Sequence, residues 1–237
     1  MDDFEERYDL RMAAGWILGH ARHTGVPDLL PDQRNKTAES CSGDELREIV
    51  SAGLSAGLKL YPFKIGTQEL PRIRRTMGFL HSVSFETLLD IGSGRGVFLI
   101  PFLKEFPWVR VCSLDLLEKR VIFLNELADG GPFPLSAEQK DICTQPFPEK
   151  SFDAVTMLEV LEHIPDVEKA VRAAVRIARK YVVVTVPSKP DSNPEHIHLL
   201  TKEKLTQMFT DAGCDRLHFD GVEGHLFMAG IIKECGR

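Results

Sequence analysis

The chain has 237 residues, of which 43% are hydrophobic and 27% charged, and a formal net charge of −6. That length suits one α/β domain with a modest extension, and the composition excludes a disordered or fibrous chain. The acidic balance gives no global electrostatic reason to bind nucleic acid, which leaves only local basic patches for that purpose.

The amino terminus, Met1 to Leu10, is acidic and lacks the basic-then-apolar layout of a secretory signal. Arg11 to Ala21 is predicted helical, Pro27 to Gly43 reads as loop, and Asp44 to Leu58 reads as a second helix weakened by its glycines. Lys59 to Arg75 is the one basic and aromatic stretch, with Lys59, Lys64, Arg72, Arg74 and Arg75 against Glu69. It admits contact with the phosphates of an RNA end. The commoner reading of such a run is an ordinary solvated face with Tyr61, Phe63 and Ile73 in the core.

From Thr87 onward, strand-like and helix-like segments alternate, as in βα units around a parallel sheet. Strands are predicted over Thr87–Ile91, Val109–Leu114, just before Asp141, over Phe152–Leu158 and over Tyr181–Val186. Helices are predicted over Val97–Glu105, Glu118–Ala128, Asp166–Ala178 and from Thr201 through Ala212. The cluster Gly130-Gly131-Pro132 breaks the chain, and Arg216–Val222 and Leu226–Lys233 read as a closing pair of strands. Residues 1–80 are therefore expected to form a mainly helical cap on the substrate side, and residues 81–237 the α/β domain.

No apolar run approaches the ~20 residues needed to cross a bilayer, so no membrane is expected as a partner. The cysteines Cys41, Cys112, Cys143, Cys214 and Cys235 are scattered without a C-x-x-C pair. They read as thiols of a reducing compartment, and a cytoplasmic location is expected.

The central signal is Leu88-Leu-Asp-Ile-Gly-Ser-Gly-Arg-Gly96, an acidic strand end running into a glycine-rich turn and then a helix. Such a turn lets a ligand approach the backbone, with free N–H groups behind it. A dinucleotide fingerprint needs a third glycine where Val97 stands, and a Walker loop needs a Lys-Ser or Lys-Thr that is absent. Asp115, ending the second strand, is placed to accept ribose hydroxyls; Asp141, ending the third, is placed to accept from an adenine amino group. Leu116 and Ile142 are candidates to sandwich the ring. The fourth strand leads into Glu159-Val-Leu-Glu162-His163, and the fifth into a segment carrying His196 and His198. Adjacent strand ends bring these two segments to one lip, where Glu159 and Glu162 with one or two imidazoles, His163 among them, form a candidate divalent-cation site, for Mg or Mn.

The motif Asp90-x-Gly92-x-Gly94-x-Gly96, with its companions Asp115 and Asp141, resembles that of the class I S-adenosylmethionine-dependent methyltransferases, and the resemblance runs from Thr87 to the C-terminus. It implies a doubly wound, Rossmann-like, seven-stranded and mostly parallel sheet, with strands three-two-one-four around the cofactor and an antiparallel last strand. The cofactor would be S-adenosylmethionine, held by Asp90, Gly92, Ser93, Gly94, Gly96, Asp115, Leu116, Asp141, Ile142 and Glu159. The E-x-x-E-H segment resembles that of ubiquinone-biosynthesis O-methyltransferases and of small-RNA 3′-terminal 2′-O-methyltransferases; the latter also have a later histidine ahead of a Thr-Lys pair, and that resemblance implies His196 as the fourth metal ligand beside Glu159, Glu162 and His163. Glu162, His163 and His198 are the candidate catalytic residues. Metal-free members carry a similar E-V-L-E-H-I stretch, so the ion stays open. The expected acceptor is a hydroxylated small molecule; an RNA 3′ end and a non-catalytic cofactor-binding role are the alternatives. Neither the methylated atom nor the oligomeric state is written in the sequence.

Overall fold

The β-branched and apolar runs become strands where the alternation predicts them. The computed structural model describes residues 8–131, 133–144, 147–190 and 192–233; Pro132, Asp191, Cys235 and the first seven residues of the acidic amino terminus lie outside the described residues. Helices α1 (Leu10–Thr24), α2 (Pro31–Arg34), α3 (Gly43–Ser55) and α4 (Pro71–His81) precede the sheet. Then β1 (Thr87–Ile91), α5 (Leu99–Glu105), β2 (Arg110–Asp115), α6 (Glu118–Gly130), β3 (Leu135–Gln139) and β4 (Phe152–Leu158) follow. The chain continues through α7 (Val167–Ile177), β5 (Ala178–Pro187), α8 (Lys202–Asp211), β6 (Cys214–Val222) and β7 (His225–Ile232).

The sheet order is β3-β2-β1-β4-β5-β7-β6. Strand β7 alone runs antiparallel, pairing with β5 on one side and β6 on the other. The order reverses at β1, which pairs in parallel with β2 and with β4, so a crevice opens beyond the carboxyl ends of these strands. Side-chain alternation sends Leu88, Ala154 and Val183 to one core and Leu89, Val155, Val182 and Val184 to the other. That double burial explains the unbroken apolar run of β5. Helix α7 covers the second core with Ala170, Val171, Ala174 and Val175, all buried, and Asp166 caps its start by accepting the Lys169 N–H. Thr201 does the same for α8 through the Lys204 N–H.

The first 80 residues depart more from their pattern. The loop expected over Pro27–Gly43 contains the short helix α2, started by Pro31 at its first position. Ser42 and Glu45 close a capping box ahead of α3. Helix α1 is buried from Met12 through Gly19, because α6 lies against it. A Cβ added at Gly19 would lie 1.9 Å from the Glu126 carbonyl oxygen, so only glycine permits this approach. Gly19→Ala is therefore expected to cost about 3 kcal/mol of unfolding free energy in urea titration; a loss below about 0.5 kcal/mol would contradict the packing. The aromatic rings of Trp16, Phe63 and Phe123 meet at centroid distances of 5.5–5.8 Å and join the extension to α6.

Candidate functional site

Asp90 at the end of β1 shares a row of the sheet with Ser113 on β2 and Thr156 on β4. Its carboxylate is buried and accepts hydrogen bonds from Thr156 Oγ1 at 2.6 Å and Ser93 Oγ at 2.5 Å. Ser93 Oγ also lies 2.6 Å from Ser113 Oγ. Asp90 thus turns into the fold and braces the glycine loop. This corrects the expectation that it would face a ligand alongside Asp115 and Asp141: two hydroxyls in its own row claim it.

Gly92, Gly94 and Gly96 all have positive φ. At Gly92, with φ 72°, a Cβ would lie 2.5 Å from Val160 Cγ2, so the turn is closed to any side chain. Asp115 holds this loop against β2. Its Oδ2 accepts the Gly94 N–H at 3.0 Å and its Oδ1 the Leu117 N–H at 2.9 Å. Asp141 Oδ1 accepts the Cys143 N–H at 2.7 Å, and Gln139 Nε2 donates to the Leu116 carbonyl. Leu116 is exposed and Ile142 buried.

At the neighbouring lip, a 3₁₀ turn over Leu161–His163 follows β4. Glu162, which is buried, His163 and His196 each offer a ligand atom, and these atoms lie within 4.8 Å of one another. The two rings meet edge to face at 4.8 Å. The segments are fastened through the backbone, since the Glu162 carbonyl accepts the N–H groups of Ile197 and His198. His163 Nδ1 lies 3.0 Å from the Glu195 carbonyl; donation there leaves Nε2 with its lone pair.

Two residues of the expected cluster are engaged elsewhere. Glu159 adopts φ 59°, accepts from Thr185 Oγ1 at 2.8 Å and pairs with His225 Nε2 at 2.9 Å. It does not join the Glu162, His163 and His196 group, because two donors from β5 and β7 turn it toward them. His198 Nε2 lies 3.0 Å from the Ile164 carbonyl, so that nitrogen fastens the loop and is unavailable as the catalytic proton acceptor.

A family model described as a methyltransferase domain matches residues 89–184, from β1 into β5. The 27-O-demethylrifamycin SV methyltransferase of Amycolatopsis mediterranei is 28% identical over 173 residues, covering 69% of this chain and 60% of the relative. The ubiquinone biosynthesis O-methyltransferase of Chromobacterium violaceum is 31% identical over 155 residues, covering 56% of this chain and 66% of the relative. The solved YcgJ protein of Bacillus subtilis superimposes with a TM-score of 0.58 at 16% identity, covering 68% of this chain and 99% of that one. Over residues 89–184 the chain carries the domain of the class I S-adenosylmethionine-dependent methyltransferases. It spans about two thirds or less of the length of these two curated relatives.

In this methyltransferase, burial pushes the Asp90 carboxyl up from 3.8 to about 6; the Ser93 and Thr156 hydroxyls oppose that and the charge of Asp115 adds to it. Because the folded value lies above the unfolded one, the contribution of Asp90 to stability is full below pH 3.8 and is lost as pH rises through about 6. The loss amounts to about 3 kcal/mol. Asp90→Asn should flatten that part of the pH–stability curve in urea titrations; a curve parallel to the parent's would contradict it.

His225 and Thr185 are site residues that sequence reasoning missed. Nothing local marks His225, which reaches the lip only because β7 pairs it with Pro187 at the carboxyl end of β5. The basic stretch Lys59–Arg75 is dispersed by the fold. Arg75 binds Asp220 and stacks on Phe227, and Arg74 pairs with Glu69. Phe63 and Ile73 are core residues as expected, whereas Tyr61 is 52% exposed, with Lys64 and Arg95 against its ring. Among the described residues no helix is long and apolar enough to cross a membrane.

Proposed function

We propose that this methyltransferase transfers the methyl group of S-adenosylmethionine to a hydroxyl oxygen of a small acceptor. The observation that carries the reading is the adjacency of two arrangements at the carboxyl ends of neighbouring strands, where Gly92 packs against Val160: the glycine loop held by Asp115, and the Glu162, His163 and His196 group. The residues fit the cofactor. The turn at Gly92 leaves backbone bare, Asp115 has lone pairs beyond those given to Gly94 and Leu117 with which to accept ribose hydroxyls, and Asp141 can accept from an adenine amino group. Leu116 and Ile142 would flank the ring, and Glu159 would stand nearest the amino acid portion. When bound, the cofactor supplies an electrophilic methyl on a sulfonium.

The protein's share is to place the acceptor oxygen in line with that methyl, to exclude water and to take the hydroxyl proton. His163 is suited to the last task through Nε2, because its Nδ1 faces the Glu195 carbonyl. In the alternative in which Glu162, His163 and His196 hold a divalent cation, His163 Nε2 would be a ligand rather than the proton acceptor, and two imidazoles favour Mn over Mg. A bound cation would lower the pKa of the acceptor hydroxyl. The similarity to a rifamycin and a ubiquinone-biosynthesis O-methyltransferase supports oxygen as the acceptor atom.

The test is to incubate the protein with methyl-labelled S-adenosylmethionine and separated small-molecule, RNA and protein fractions of a cell extract. Label is expected in the small-molecule fraction, on oxygen. Label confined to RNA would replace this reading with 2′-O-methylation of an RNA end. Cofactor binding without transfer into any fraction would make the chain a non-catalytic binding protein.

A further inference from the structure

A hollow of about 320 Å³ lies between α1, α6 and the glycine loop, apart from the acidic residues assigned to the cofactor. Its rim carries Arg95 from the loop and Lys119 and Arg120 from the first turn of α6. Among the described residues none of these three cations has a carboxylate partner, although the protein as a whole is acidic, with a net charge of −6. The start of α6 lacks a side-chain cap, which adds a positive dipole end to the same place.

The floor is polar at one point. Glu126 is buried and receives Trp16 Nε1 and His20 Nδ1, each at 2.9 Å, so its charge is spent inside the floor. Phe123 and Ile122 line an apolar side. Cations on a concave rim, beside an apolar wall, focus positive potential on whatever enters.

We propose that this hollow binds a small organic phosphate, with the phosphate between Arg95, Lys119 and Arg120 and an apolar or aromatic body against Phe123 and Ile122. Arginine pairs bidentately with phosphate oxygens and lysine adds a point charge, the combination such a dianion needs. A volume near 300 Å³ suits a molecule of modest size. The site does not depend on the methyl-transfer reading, because it uses none of the residues proposed to move the methyl group or the proton.

The test uses the full chain saturated with S-adenosylhomocysteine, so that the nucleoside pocket is filled. Phenyl phosphate is titrated while the Trp16 indole N–H is followed by NMR, with Trp108→Phe to assign the resonance. The resonance should move and saturate, and Lys119→Glu with Arg120→Glu should weaken binding at least about tenfold without changing S-adenosylhomocysteine affinity. Absence of a shift, or equal affinity in the double variant, would overturn the proposal. Inorganic phosphate binding as tightly as phenyl phosphate would overturn the organic ligand. A 5′-phosphorylated oligoribonucleotide binding far more tightly than phenyl phosphate would overturn it in favour of nucleic acid.

Discussion

Asp115→Ala is expected to lower affinity for S-adenosylhomocysteine by about 10²–10⁴-fold, measured by calorimetry. Two hydroxyl donors lose a charged acceptor, and each such bond is worth about 1.5–3 kcal/mol. The loop also loses its tie, since Gly94 no longer has Asp115 Oδ2 to donate to. Asp115 is half-buried at the carboxyl end of β2, so the variant should fold. A thermal midpoint within a few degrees of the parent's would confirm that the loss belongs to the pocket. Undiminished affinity in a folded variant would show that Asp115 does not face the nucleoside.

The second large effect concerns the acceptor side. Glu162→Gln keeps the shape of a buried side chain and removes its charge beside His163 and His196. Methyl transfer should fall at least about 10²-fold while S-adenosylhomocysteine affinity stays within about threefold. If an ion completes the group, excess chelator should reproduce that fall in the parent protein, and added Mn should reverse it. Full activity in chelator would remove the ion and leave the proton with His163 alone. Full turnover by Glu162→Gln would move the acceptor site away from this lip.

The legible parts of the sequence were those fixed by local chemistry. The apolar run of β5, the glycine loop between β1 and α5, and Thr201 at the start of α8 each carry their reason in neighbouring residues. What was missed depends on register and packing. Asp90 turns inward because Ser113 and Thr156 occupy its row, a fact set by strand pairing rather than by the motif. Glu159 leaves the lip cluster because β7 delivers His225 beside it. Tyr61 looked like core beside Phe63 and Ile73, yet a 3₁₀ turn over Tyr61–Phe63 buries only Phe63 deeply and leaves Tyr61 above Arg95. The glycines of α1 carry no local signal, and Gly19 proves to be one of the points where α1 and α6 meet backbone to backbone.

A crystal structure of the protein with S-adenosylhomocysteine bears on the central claim most directly. The ribose should be found on the Asp115 carboxylate and the adenine between Leu116 and Ile142, with the sulfur directed toward the Glu162 and His163 lip. A nucleoside seated elsewhere, with the glycine loop unoccupied, would contradict the account.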